Sequence, residues 1–336
     1  MRGFLAAVFV VALIGGQVAA QTDTSTSTPH VVSLSHFIHA TDKLETTLAF
    51  YHDVFGMEAP APRVNANPGV ALLNNVPGIG LRASSPKFPN EAFGIEMTEF
   101  SNVDRKGGHA LPTDPGAVEL ILPVRDIDAV YAAVKKSGAP ILSPTGGPVK
   151  ITTATGTARA LLVRDPDGYL VRAIEVPASE ATVPGIVQPG VSMGVAVRDL
   201  QATVKFYHDV LGLDVIGNMT FTRDKAMSDL VGAPGGSQYR QMSTAFPGTK
   251  SARMEFYEWK GMPRTPFHLR VPDPGAGGMV MRVTDLDQMV RKMKAGRVPM
   301  LTQEPVWFTK TISDIFVEDL NGLNLELFQV IPAPAQ

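Results

Sequence analysis

The chain has 336 residues, 44% of them hydrophobic and 18% charged, a globular composition with room for about two domains. Against 32 Asp and Glu stand 30 Lys and Arg, a net charge of −2, so no broad basic field exists to hold nucleic acid. Cys is absent, which removes disulfides, thiolate metal sites, iron–sulfur clusters and a cysteine nucleophile together, and a metal could be held only by His, Asp, Glu or neutral oxygen ligands.

Arg2 precedes an apolar run from Phe4 to Ile14, Gly15 and Gly16 break it, and Val18-Ala19-Ala20 offers small residues for cleavage. The pattern predicts a signal peptide over residues 1–20, cut before Gln21. The run is shorter than the roughly 20 apolar residues that span a bilayer. Residues 21–30, rich in Ser and Thr, read as a flexible leader. The mature chain is expected to be secreted or periplasmic and free of membrane, as a monomer or homodimer.

From there the chain repeats. Phe50-Tyr51-His52-Asp53-Val54 recurs as Phe206-Tyr207-His208-Asp209-Val210, and Asp114-Pro115-Gly116-Ala117 as Asp273-Pro274-Gly275-Ala276. Leu73 with Pro77-Gly78 returns as Leu230 with Pro234-Gly235, and Val163-Arg164-Asp165-Pro166-Asp167-Gly168 as Val317-Glu318-Asp319-Leu320-Asn321-Gly322. Four matches in one order at nearly one spacing mean a duplication, with domains at 31–177 and 190–331 and a Pro/Gly-rich linker at 178–189. Each half repeats again. Val124-Arg125-Asp126-Ile127-Asp128 resembles Val197-Arg198-Asp199-Leu200 and Val283-Thr284-Asp285-Leu286-Asp287.

After Asp42, a predicted cap, Leu44, Leu48, Tyr51 and Phe55 share one helical face, which Gly56 ends; Gly212 ends its partner. Ile127, Val130, Tyr131 and Val134 form the same face and stop at Gly138. Short alternating strands between Pro, Gly and Asn turns follow each helix. The unit is a strand, a helix and about three strands, four times over.

Paired βαβββ units, with FYHDVFGM and FYHDVLGL closing the first helix of each half, LxxxPG before the third strand, DPGA between units and DPDGY before the last strand, resemble the vicinal oxygen chelate superfamily of glyoxalase I, bleomycin-resistance proteins and extradiol dioxygenases. The resemblance covers nearly the whole mature chain. It implies an α+β fold of four βαβββ modules, forming two glyoxalase-like domains whose curved mixed sheets enclose a cavity, with the helices outside.

In metal-binding relatives each unit offers one ligand from its first strand and one from its last. Carried over position by position, the first unit offers His36 and Glu96 and the second Glu119 and Arg172. The third offers Ser192 and Glu255, and the fourth Gly278 and Glu326. If adjacent units pair, the set is His36, Glu96 and Glu119; if first pairs with fourth, it is His36, Glu96 and Glu326. One His and two carboxylates can hold Zn²⁺, Ni²⁺, Mn²⁺ or Fe²⁺ with positions open to substrate oxygens, but lack the second His of extradiol chemistry. Glu96 and Glu119 are the candidate proton carriers, and Arg172 is a candidate anchor for an anionic substrate group or an ion-pair partner of Glu96 or Glu119.

His39 has the opposite strand parity to His36 and is expected to point away. His52 and His208 should face solvent, His30, His109 and His268 lie in connecting segments, and Trp259 and Trp307 are expected in the core or cavity wall. DPDGY reads as a turn without chemistry of its own. The resemblance implies a metal-dependent lyase or isomerase of glyoxalase type acting on a small oxygen-rich molecule. The alternative is a non-catalytic small-molecule binder of bleomycin-resistance type.

Overall fold

The computed structural model describes residues 28–153 and 156–331, so the predicted signal peptide and most of the leader lie outside the described residues. The first unit comprises β1 (Val31–Thr41), α1 (Leu44–Phe55), β2 (Arg63–Asn65), α2 (Gly69–Leu73), β3 (Gly80–Ser84) and β4 (Ile95–Ser101). The second runs through β5 (Val118–Val124), α3 (Ile127–Ser137), β6 (Val149–Thr153), β7 (Gly156–Arg164) and β8 (Leu170–Glu175). The third holds β9 (Ser192–Ala196), α4 (Leu200–Asp209), β10 (Val215–Thr222), α5 (Lys225–Val231), β11 (Gln238–Ala245) and β12 (Arg253–Lys260). The fourth holds β13 (Gly277–Val283), α6 (Leu286–Ala295), β14 (Val306–Trp307), β15 (Ile312–Glu318) and β16 (Asn324–Val330).

Each long helix starts where the last strand of its own unit sends a side-chain oxygen to the first helical N–H. Leu44 donates to Glu99 at 2.8 Å, Leu200 to Glu258 at 2.7 Å and Leu286 to Gln329 at 2.9 Å, while Ile127 donates to Glu175. Such acceptors satisfy donors that a helix cannot pair internally. Asp126, Asp199 and Asp285 add conventional caps to α3, α4 and α6. At α1 the expected cap fails: Lys43 occupies the cap position without a side-chain bond, and Asp42 turns to Arg105 instead. Gly56 ends α1 at φ 64°, a left-handed conformation that glycine adopts without strain.

The units pair first with fourth and second with third. One eight-stranded sheet has the order β14-β15-β16-β13-β1-β4-β3-β2, and the other β10-β11-β12-β9-β5-β8-β7-β6. Antiparallel seams between β1 and β13 and between β5 and β9 join the two halves of the chain. Within each half, the repeated motifs meet. Tyr51 and Thr47 on α1 donate to Asp165 (3.3 Å) and Asp167 (2.6 Å), and Tyr207 on α4 donates to Asp319 at 3.3 Å.

α1, α3, α4 and α6 pack on one face of the sheets in a continuous core that includes Phe37, Met97, Leu120, Met193, Phe256 and Met281. The opposite face of the first sheet carries a separate apolar cluster with Ile38, Ala40, Val280, Phe316 and Phe328. The opposite face of the second carries Leu162, Ala196, Leu230, Tyr257 and Trp259. Strand alternation thus sends every other residue to the concave side.

Candidate functional site

On the first sheet, strand parity sends His36, Glu96, Asp314 and Glu326 to the concave face that holds the apolar cluster, together with Thr98, Arg282 and Asn324. Glu96 registers with Ile38, Glu326 with Val280 and Phe316, and His36 with Val280, while Asp314 stands opposite Phe328. His36, Glu96 and Glu326 are half-buried, so the face is reachable from solvent, and Asp314 is buried. This brings together residues from both ends of the chain.

The electrostatics are those of acids crowded in an apolar setting. Burial pushes Asp314 up to about 7. Glu326 rises well above the usual carboxylate range through burial first and then the charges and hydrogen bond of Asp314, with Glu96 adding repulsion. Burial lowers the pKa of His36, against the attraction of Glu96. Ser35 Oγ lies 3.1 Å from His36 Nδ1, leaving Nε2 for another partner. Neither Asp314 nor Glu326 is ion-paired with Lys or Arg among the described residues, and Asp314 Oδ1 is buried with no hydrogen-bond partner. Carboxylates drawn out of water without an ion-pair partner suit a divalent cation, whose field would offset their desolvation.

Glu119 and Arg172 are not with His36 and Glu96. Because the second unit pairs with the third, they lie on the concave face of the other sheet. The Arg172 guanidinium, the candidate anion anchor, is committed to Glu119 through Nη2–Oε1 at 2.6 Å and Nε–Oε2 at 3.1 Å, with both residues buried. Ser192 is buried there too, and Gly278 lies on the first sheet against the Asn324 backbone.

A third cluster went unread in the sequence. His39 points to the helix side, as its parity implies, with Nε2 at 2.7 Å from Asp165 Oδ2 and 3.5 Å from Asp167 Oδ2. Among the described residues, this is the group of His and carboxylates whose ligand atoms lie within 4.8 Å of one another. The two Asp belong to the DPDGY turn, so that turn carries more than geometry. All four of their oxygens already accept hydrogen bonds, from the backbone N–H of Asp167, Tyr169 and Asp42 and the hydroxyls of Tyr51 and Thr47. The cluster is closed by protons on every side. The hydrogen bonds and charges of both carboxylates outweigh burial and hold His39 at about 9, protonated at neutral pH.

The remaining expectations divide. His52 and His208 are exposed, and His268 pairs with Glu318 at 2.9 Å. Trp259 is fully buried and stacks on Tyr239. Trp307 is 55% exposed, contrary to expectation, because β14 is a two-residue edge strand. Asp314, which no motif marks, comes to the site only through the β15–β16 pairing.

The model of the Glyoxalase/Bleomycin resistance protein/Dioxygenase superfamily matches residues 33–173 and 191–327, and the chain belongs to that superfamily. A virulence protein of Salmonella typhimurium, STM3117, is 27% identical over 139 residues, covering 41% of this chain and 80% of the relative. Glyoxalase I from Zea mays has a similar fold, with TM-score 0.56 and 16% identity over 90% of this chain and 92% of the maize chain. A dioxygenase-like protein of Bacillus subtilis aligns at TM-score 0.52 and 13% identity over 90% of this chain and 87% of that chain.

Proposed function

We propose that the chain is an exported glyoxalase-like protein that acts as a metal-dependent lyase or isomerase on a small oxygen-rich molecule, at the face built by its first and fourth units. The supporting observation is the meeting of His36, Glu96, Glu326 and Asp314 on one reachable face, with an orphaned carboxylate oxygen and, among the described residues, no Lys or Arg ion-paired with Asp314 or Glu326. His36 Nε2 and the carboxylates of Glu96 and Glu326 are the groups that would hold a divalent ion there, although, among the described residues, the group whose ligand atoms already lie within 4.8 Å of one another is the His39 cluster. Such an ion would polarise a substrate carbonyl or hydroxyl oxygen. Asp314, hydrogen-bonded to Glu326, orients that carboxylate, Glu96 is placed to move a proton, and Val280, Phe316 and Phe328 give the face its apolar floor.

A second reading, a non-catalytic small-molecule binder, draws support from the other sheet, whose corresponding positions are closed by the Arg172–Glu119 pair. Metal analysis of protein purified without chelators separates the two. The enzyme reading expects about one equivalent of Zn, Ni, Mn or Fe that His36→Ala removes. A folded protein that binds no added divalent metal would leave the binder. Export rests on Arg2, the Phe4–Ile14 run and Val18-Ala19-Ala20; N-terminal sequencing should find Gln21 first, and retention of Met1 on most molecules would overturn it.

A further inference from the structure

The concave face of the second sheet carries Ser192 where the first has His36, Glu255 where it has Glu96 and Glu119 where it has Gly278. Where the fourth unit places Glu326, the second places Arg172, and two carboxylates face it: Glu119 from β5 and Glu255 from β12. The guanidinium is held on three sides. Its fork takes both oxygens of Glu119, its Nη1 donates to Tyr257 Oη at 3.2 Å, and the Tyr257 ring lies 5.1 Å from its centre. Tyr257 Oη donates its own hydrogen bond to Glu255, which also accepts from Gln241 Nε2 at 2.8 Å. Gly194 completes the cradle, because a Cβ there would stand 2.6 Å from Glu119 Oε1.

We propose that this second face is a cation cradle filled by the chain's own Arg172 guanidinium, so that it takes no metal and the protein carries at most one metal ion per chain. The inference rests on the reading of the first face as a metal site. A metal here would need the Glu119 lone pairs that already accept from the guanidinium, and it would need the space the guanidinium fills. Guanidinium does not deprotonate in proteins, so no accessible pH opens the face. The duplication has therefore left one open face and one whose cation position the chain fills with its own side chain.

Metal stoichiometry tests this. The purified chain and its variants are stripped with chelator, reloaded with Mn²⁺ or Zn²⁺, dialysed and analysed by mass spectrometry. The wild type should hold about one equivalent and His36→Ala about none. Arg172→Glu, which restores the carboxylate found at Glu326, should gain about one further equivalent. A folded Arg172→Glu chain with no more metal than wild type overturns the proposal. If that variant does not fold with or without metal, His36→Ala decides: an equivalent that it retains and Glu119→Gln then removes also overturns it, whereas loss of all metal supports it. Metal that survives both substitutions overturns instead the assignment of the first face.

Discussion

His39 and Asp165 form a fully buried ion pair, Nε2 to Oδ2 at 2.7 Å, between the first strand of one unit and the last turn of the next. Its counterpart in the other half keeps one acid, Asp319 in the place of Asp165, and has no cation. Val195 stands where His39 does, and Asn321 where Asp167 does. Positive and negative residues therefore enter and leave this position together.

That relationship fixes a pH dependence. His39 is raised in the folded chain from its ordinary 6.5 to about 9, so its contribution is fully present below the unfolded value and is lost as pH rises from about 6.5 through about 9. Denaturant unfolding at pH 6 and pH 9.5 should differ by up to about 3 kcal/mol, with the protein weaker at high pH. His39→Val should flatten that slope.

The same pair predicts non-additivity. His39→Val alone strands buried Asp165 and Asp167 and should cost about 3–5 kcal/mol. Combining it with Asp167→Asn recreates the arrangement of the other half and should recover at least about 1–2 kcal/mol. A double-mutant cycle with no coupling would show that the cluster is not an ionic unit.

Gly194→Ala should destabilise by about 1–3 kcal/mol, because the new Cβ meets the Glu119 carboxylate at 2.6 Å. Gly185→Ala, with only the Val187 backbone near by at 3.8 Å, is the control and should be close to neutral in thermal melts.

Glu258→Ala removes both the acceptor for the Leu200 N–H and the partner of Arg240 at 2.7 Å. A loss of about 1–2 kcal/mol is expected. Gln329→Ala, which loses only the bond from Leu286, should cost less, about 0.5–1 kcal/mol.

Asp314→Asn separates a metal cradle from a merely structural polar pair. Without metal the variant should be as stable as wild type or about 1 kcal/mol more so, since a crowded buried acid is gone. With Mn²⁺ its thermal shift should shrink, because Glu326 loses the neighbour that orients it. Equal metal-induced shifts in both proteins would count against the site.

The fold was legible because its signals are local: FYHD, DPGA and DPDG recur at one spacing, and apolar periodicity marks each helix. His36, Glu96 and Glu326 were reachable because the family resemblance marks ligand positions on the first and last strands of each unit. The pairing of units was not, since β1–β13 and β5–β9 join segments that carry no local mark of each other. With the pairing open, Glu119 could not be separated from His36, and Asp314 had no motif to announce it. His39 was placed on the correct side by parity, but its counter-ions sit in a turn whose Asp residues are explained by backbone geometry alone.

The two seams bear on how such a chain could arise and how it can be cut. Either half by itself would present β1 and β5, or β9 and β13, as bare strand edges with unpaired N–H and C=O groups. Two copies of one half could cover those edges by exchanging them, the symmetric arrangement expected of a homodimer. Joining such copies in a single polypeptide frees each sheet to diverge, because a substitution then falls on one face only. His36 on the open concave face of one sheet and Arg172 locked within the other are the marks of that freedom.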